Sequence, residues 1–528
     1  MTWPSPEGNL DTKEGVESEA PNGQRRCLPS VRRNIQTVRR HIRTGREPFL
    51  LGAGVVMPRA TGFLTLPIYT RLLGPEDFGR YELLSSLLGL FFAFCLLGLD
   101  FAIAVRFFGH GDEQRRRDAA SALAAAAASS LVTAGILIAL AGVLGPLVLQ
   151  TPGGGLPFAI VIAAVPFNVL GGVFAMYLRL RFKGLAFFRA TVGGAVGGTA
   201  TGLVLVVAAQ WGLVGAIVGL TTVHMVTFAL LAVGVRGMLD PTAADRRTAL
   251  GLVRLGAPLV PAGAAIWVFA VADRIFVAAF LGFAQLGLYA AAARLATILA
   301  LVAFGFHAAW GPMALRWGLI ADRDRRYAAS LRLVAVVGGA AVAVVSWAAQ
   351  PLLWLLAGPA YVGAHDVVWL LAASVLFSAM FSVVQIGANL AQRGGRVAVA
   401  TIIAAVVNTV CNLTLIPLLG YLGAGVATLA AYAVAYVIMY AMSQRVTPIG
   451  IEFVRATGWA IGWTVVAASS VVAPPSVRPL ADVLVVAVAM AIALAAVAQS
   501  TSLVGSAIPT TSAGDGEDVA GGPGISAV

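Results

Sequence analysis

Arg59, Asp100, Arg106, Asp273, Arg274 and Arg294 stand inside apolar runs of a chain that is 59% hydrophobic. A charged side chain at the centre of a bilayer costs about 3 kcal/mol, so it faces a cavity, water or another charge. Arginine in such a place suits a phosphate. Its planar guanidinium stays ionised and pairs with two oxygens at once. Arg59, Arg294 and Arg274 therefore read as lining a cationic cavity for an anionic headgroup. Asp100, Arg106 and Asp273 read as coupling groups or as structural charge pairs, with Asp100–Arg106 and Asp273–Arg294 the pairings considered. Arg71, at the mouth of the first run, reads as a side chain that snorkels to the interface. His224 and His307 are lone histidines in apolar runs and read as packing residues, with no carboxylate at helical spacing from either.

Other chemistries find no footing. The chain has two lysines, Lys13 and Lys183, and neither belongs to a GxxxxGK[ST] nucleotide loop. GGAVGG at 193–198 serves close helix packing rather than a dinucleotide, for want of a strand before it. Asn412-Leu413-Thr414 matches a glycosylation sequon by chance within an apolar run. Cys27, Cys95 and Cys411 lie too far apart for a disulfide framework or a metal cluster. No loop between runs is large enough to house acid/base residues for sugar transfer. The expectation is a protein that is not an enzyme and holds no metal and no cofactor.

Elements that position such charges follow from hydropathy. Charged residues make up 11% of the 528, against about 25% in soluble domains. Apolar runs of spanning length cover 49–69, 82–108, 119–149, 156–178, 187–210, 212–235, 255–280, 285–314, 330–357, 366–390, 397–418, 422–443, 456–473 and 480–502. Lipid offers backbone groups no partner, so these are helices. Every second loop is basic: Arg115–Arg117, then Arg179, Arg181 and Lys183, Arg246 and Arg247, Arg323, Arg325 and Arg326, Arg393 and Arg396, and Arg445. The turns between are nearly uncharged. The net charge of +12 is thus a topology signal rather than a mark of nucleic-acid binding, and it places both termini in the cytoplasm of a multi-pass cell-membrane protein. The polar first 48 residues contain no cleavable signal. Within them Val31, Ile35, Val38 and Ile42 form an apolar stripe among arginines, which reads equally as an interfacial helix or a basic tail.

A repeat organises the spans. Leu73, Gly74, Gly79 and Tyr81 recur as Leu281, Gly282, Gly287 and Tyr289, and Gly212 and Gly215 recur as Gly420 and Gly423. Both shifts are 208 residues. Six spans separate the two copies, an even number, so the halves keep the same orientation and are related by an axis along the membrane normal. The expected architecture is an all-α integral membrane protein of about fourteen transmembrane helices. It comprises a basic cytoplasmic tail (1–48), a first six-helix bundle (49–238), a second one parallel to it (239–443), two extra helices (444–502) and a disordered cytoplasmic tail (503–528). A duplicated hydrophobic half points to a secondary transporter.

The segments TRLLGPEDFGRYELLSSLLGLFFAFCLLGLDFAIAVRFF (70–108), ADRIFVAAFLGFAQLGLYAAAARL (272–295) and LGYLGAGVATLAAY (419–432) resemble bacterial lipid-linked oligosaccharide flippases of the Wzx type. The likeness covers roughly 49–443 and places the chain in the MOP exporter superfamily, with multidrug and toxin extrusion transporters and lipid II flippases. Arg59 and Gly62, in PRATG, look like the first-span arginine motif of the lipid II flippases. The resemblance implies alternating access between two bundles. It implies transfer of a polyprenyl-pyrophosphate-linked glycan from inner to outer leaflet for surface polysaccharide or cell wall assembly, driven by membrane potential or by coupling to H+ or Na+. Partners would be the glycan polymerase or glycosyltransferases of the same route. The alternatives are a lipid II flippase and a cation-coupled multidrug exporter. The exporter should prefer acidic cavity residues for its cationic substrates.

Overall fold

The computed structural model describes residues 46–318, 322–391, 393–474 and 478–505. The apolar stripe at 31–42, Cys27 and the expected tail from 506 lie outside the described residues. Helices account for nearly all of the described chain, and no strand occurs among these residues. In order they are α1 (Arg46–Leu64), α2 (Leu66–Cys95), α3 (Leu99–Phe107), α4 (Asp112–Ala139), α5 (Ala141–Leu149), α6 (Gly155–Ala163), α7 (Val165–Leu180), α8 (Gly184–Val207), α9 (Gly212–Val235), α10 (Arg246–Gly256), α11 (Val260–Leu281) and α12 (Phe283–Trp317). There follow α13 (Arg323–Leu333), α14 (Gly339–Trp347), α15 (Ala349–Leu356), α16 (His365–Val384), α17 (Ile386–Leu390), α18 (Gly394–Leu419), α19 (Tyr421–Gln444), α20 (Phe453–Val472) and α21 (Arg478–Gly505). The protein is an all-α membrane protein. Among the described residues, 11 helical stretches are long and apolar enough to cross a bilayer. The expected spans 49–69, 255–280 and 456–473 correspond to α1, α11 and α20, which are not among those 11.

The marker glycines do structural work at the repeat offset. Gly74 and Gly282 take positive φ, 71° and 83°, where the chain turns between helices. Gly212 and Gly420 also take positive φ, 51° and 64°. A side chain at such a φ is strained, so glycine at both copies answers one backbone requirement. Packing recurs in the same register. α1 lies on α8 as α11 lies on α18, and α8 pairs with α9 as α18 pairs with α19.

The turn at Gly74 interrupts α2, so its helical stretch of Leu66–Leu73 extends the first crossing and the second begins at Pro75. The second crossing therefore starts seven residues before the expected position of 82. It breaks again at Leu97 and Gly98, both with positive φ, before continuing as α3.

The halves touch near both ends. At the end remote from the basic loops, α2 crosses α12 backbone to backbone. A methyl group on Gly79 would overlap the Phe283 carbonyl oxygen, and one on Gly287 would overlap that of Pro75. The second glycine of each LGxxxxGxY marker thus sits where the two copies meet. Close approach through small residues is the usual way for helices to associate in lipid. At the basic end Gly98 abuts Gly256, where an added Cβ would lie 2.5 Å from the Gly256 carbonyl oxygen. Gly256 ends α10, the amphipathic helix that leads into the second half. Asp245 caps α10 by accepting from the Thr248 N–H at 2.8 Å and from its hydroxyl at 2.9 Å, which holds the carboxyl below its ordinary range.

Candidate functional site: a charge cluster between the halves

Arg294 leaves α12 a little over three turns after Gly282 and points across to α1 and α2. Its Nε donates to Glu82 Oε1 at 2.8 Å, its Nη2 donates to the same oxygen, and its Nη1 donates to the Gly62 carbonyl at 2.7 Å. The guanidinium lies over the rings of Phe78 and Tyr81, at 5.2 and 5.8 Å. Arg274, on α11, brings Nε to 3.7 Å from Glu82 Oε2. Two arginines of the second half therefore converge on one carboxylate of the first. The side chains of Glu82, Arg294 and Arg274 retain 8%, 17% and 19% of their exposure, so the attraction acts where water screens it poorly.

Asp273 faces the other way. Its Oδ1 accepts from the Arg274 N–H at 2.8 Å and its Oδ2 accepts from the Tyr289 hydroxyl. Asp273, Arg274 and Tyr289 form one wall of a cavity of about 320 Å³ inside the second half, closed by Thr297, Ser378 and Thr428. His307 lines the same cavity, and its Nε2 is buried without a hydrogen-bond partner among the described residues. The histidine expected to serve packing alone thus lines a cavity.

Neither charge pairing considered from the sequence is the one formed. Arg294 takes Glu82, and Asp273 takes Tyr289 and its neighbour Arg274. Arg106 reaches Asp118 on α4, Nη1 to Oδ1 at 3.9 Å, rather than Asp100. Asp100 opens α3 in its first turn, at the basic end. Arg71 does not simply snorkel: its Nη2 donates to the Leu355 carbonyl at 2.6 Å, tying the first half to the end of α15. Arg59 lies on α1 one turn before Gly62, and its side chain lies outside the described residues. The structure thus brings Arg294, Arg274 and Asp273 together and leaves Asp100 and Arg106 at the other end.

Sequence reasoning missed Glu82. With the second span begun at 82, it stood at the membrane rim. With the helix begun at Pro75 it lies two turns inside, about 12 Å down the axis from Gly74. The available signal was a carboxylate with no cation at helical spacing on its own apolar side, which a buried charge must find elsewhere.

The helices pack in two like sets with a charge cluster between them, and among the described residues no group of three or more His, Cys, Asp or Glu side chains could hold a metal ion. Residues 45–316 match the family described as polysaccharide biosynthesis protein, and the chain belongs to that family. No curated protein matches it in sequence. Among solved structures it is similar to the lipid II flippase MurJ in an inward closed conformation. The TM-score is 0.66 at 11% identity, over 84% of this chain and 98% of that one. It is also similar to an inward-facing multidrug resistance MATE family transporter of the MOP superfamily, with a TM-score of 0.61 at 13% identity, over 77% and 98%. The eukaryotic MATE transporter AtDTX14 follows with a TM-score of 0.52 at 12% identity, over 81% and 99%. At these identities the likeness is one of fold.

Asp273→Asn keeps the shape of the side chain and an oxygen for the Arg274 N–H, so the variant should accumulate normally in the membrane. Transport should be lost if the carboxylate carries a coupling ion. Loss of the folded protein instead would mark a structural role, and unchanged transport would remove Asp273 from both.

Proposed function

We propose that the chain flips a polyprenyl-pyrophosphate-linked oligosaccharide from the inner to the outer leaflet, for surface polysaccharide or cell wall assembly, by alternating access. The observation that carries this reading is the convergence of Arg294 and Arg274 on Glu82 across the interface between the halves. Glu82 occupies the bidentate donors that a diphosphate would take. A headgroup arriving from the basic side competes for Arg294 and releases the carboxylate, so cargo binding and loosening of the far-side contact are one event. A ligand shifts a conformational equilibrium only through such differential contacts. The lipid tail stays in the bilayer throughout. The basic loops face the cytoplasm by the positive-inside rule, with both termini on that side. The forked donors of Arg294 and Arg274 suit an anionic headgroup better than a cationic drug.

Energy enters as membrane potential or as H+ or Na+ exchanged at the Asp273 cavity, whose hydroxyls and carboxylate suit a hard cation. Glycosyltransferases supply the cargo and a polymerase consumes it. Depletion in the native cell tests the reading: the lipid-linked oligosaccharide should accumulate on the inner leaflet within a few generations. If lipid-linked pools keep their size and sidedness, this cargo is wrong.

A further inference from the structure

A second cationic pocket lies at the basic end, outside the interface between the halves. It encloses about 260 Å³ between α13, α20 and α21, with Arg332, Arg455 and Trp459 around it and Leu333, Val336 and Ile492 among its apolar walls. Glu452 stands between the two arginines. Its Oε2 is 3.6 Å from Arg332 Nη1 and 3.8 Å from Arg455 Nη1, and it makes no hydrogen bond among the described residues. Those separations exceed hydrogen-bond length, so the triad is held by charge alone and each guanidinium keeps donors free. Two guanidiniums against one carboxylate leave a single uncompensated positive charge.

Trp459 and Ile492 also line an apolar groove of about 460 Å³ that continues from the pocket. α20 and α21 each pack on α14, and the groove runs between them past Trp463, Val485 and Val488. A cationic mouth beside an interfacial tryptophan, opening onto an apolar trough, has the chemistry of a lipid headgroup followed by its chain. One excess positive charge matches a single phosphodiester better than a multiply charged diphosphate.

We infer that this pocket holds an anionic glycerophospholipid of the inner leaflet, its phosphate between Arg332 and Arg455 and one acyl chain in the groove. Every residue around this pocket and groove lies between 329 and 496, away from the contact of Arg294 with Glu82, and the inference does not depend on which cargo is flipped.

The full-length protein in phosphatidylcholine nanodiscs tests this, with phosphatidylglycerol titrated in and bound lipid read by native mass spectrometry. The wild type should take up one phosphatidylglycerol in preference to phosphatidylcholine. Arg332→Gln/Arg455→Gln should weaken that binding by about 25-fold, near fivefold for each charge removed. Glu452→Gln, which removes the competing carboxylate, should tighten it severalfold. Opposite shifts from the same triad separate a lipid site from misfolding. Equal affinity in the wild type and the double variant would overturn the inference. So would a short-chain polyprenyl diphosphate that binds with this arginine dependence and is not displaced by phosphatidylglycerol.

Discussion

Arg294→Ala should reduce flipping by at least about 100-fold while the protein still reaches the membrane. The loss has two parts. Removing one partner of a buried ion pair costs about 3–5 kcal/mol, because Glu82 is left charged and dry, and every 1.4 kcal/mol is tenfold. The cavity also loses its best placed fork for a phosphate. Companion variants separate the parts. Arg294→Lys restores the charge without the fork and should recover only a fraction of transport. Glu82→Gln frees Arg294, so binding of a lipid diphosphate should be kept or tightened while turnover falls, since the contact between the halves is weakened. Binding and flipping measured in reconstituted vesicles give both readouts. Normal flipping by Arg294→Ala would remove the cluster from the transport path. Equal loss of binding in Glu82→Gln and Arg294→Ala would mean that the pair is only a strut.

Gly287→Ala should have an effect of similar size for a steric reason. The added methyl overlaps the Pro75 carbonyl oxygen, which is backbone and cannot rotate away. Overpacking usually costs about 1–3 kcal/mol, and here it falls on the crossing through which the halves meet. The protein should keep its two bundles but fail to close them at the far end, so flipping stops with one side held open. Ser86 is buried one turn below Glu82, and its hydroxyl bonds the Glu82 carbonyl at 2.7 Å. A cysteine introduced there, in a background without Cys27, Cys95 and Cys411, should react with a membrane-impermeant maleimide many times faster in the Gly287→Ala variant. Gly79→Ala should act alike from the other copy. If either variant transports at the parental rate and leaves Ser86→Cys protected, this crossing does not close the far end.

Both results depend on contacts between residues more than 200 positions apart, which spacing along the chain does not reveal. Gly74, Gly282, Gly212 and Gly420 were visible in the sequence because their constraint is local. A turn that needs positive φ accepts glycine wherever it occurs, and a duplicated turn repeats the letter at a fixed offset. Local chemistry also exposed Arg294, Arg274 and Asp273, since a charge in an apolar run is costly in any fold. Glu82 stayed hidden because span boundaries read from hydropathy are uncertain by several residues, and a shift of two turns moves a side chain from the rim to the interior.

From the sequence alone came an all-α membrane protein, a repeat at 208 residues, the two arginines that gather between the halves and Asp273 beside them. Each depends on a property of the residue or its near neighbours: transfer cost, helical period or backbone freedom. Partnership was decided only in three dimensions. Arg294 with Glu82, Asp273 with Tyr289 and Gly79 with Phe283 are products of how α2, α11 and α12 cross, and Arg106 with Asp118 of how α3 meets α4. A carboxylate binds the guanidinium that packing brings to it, and spacing along the chain cannot say which one that will be.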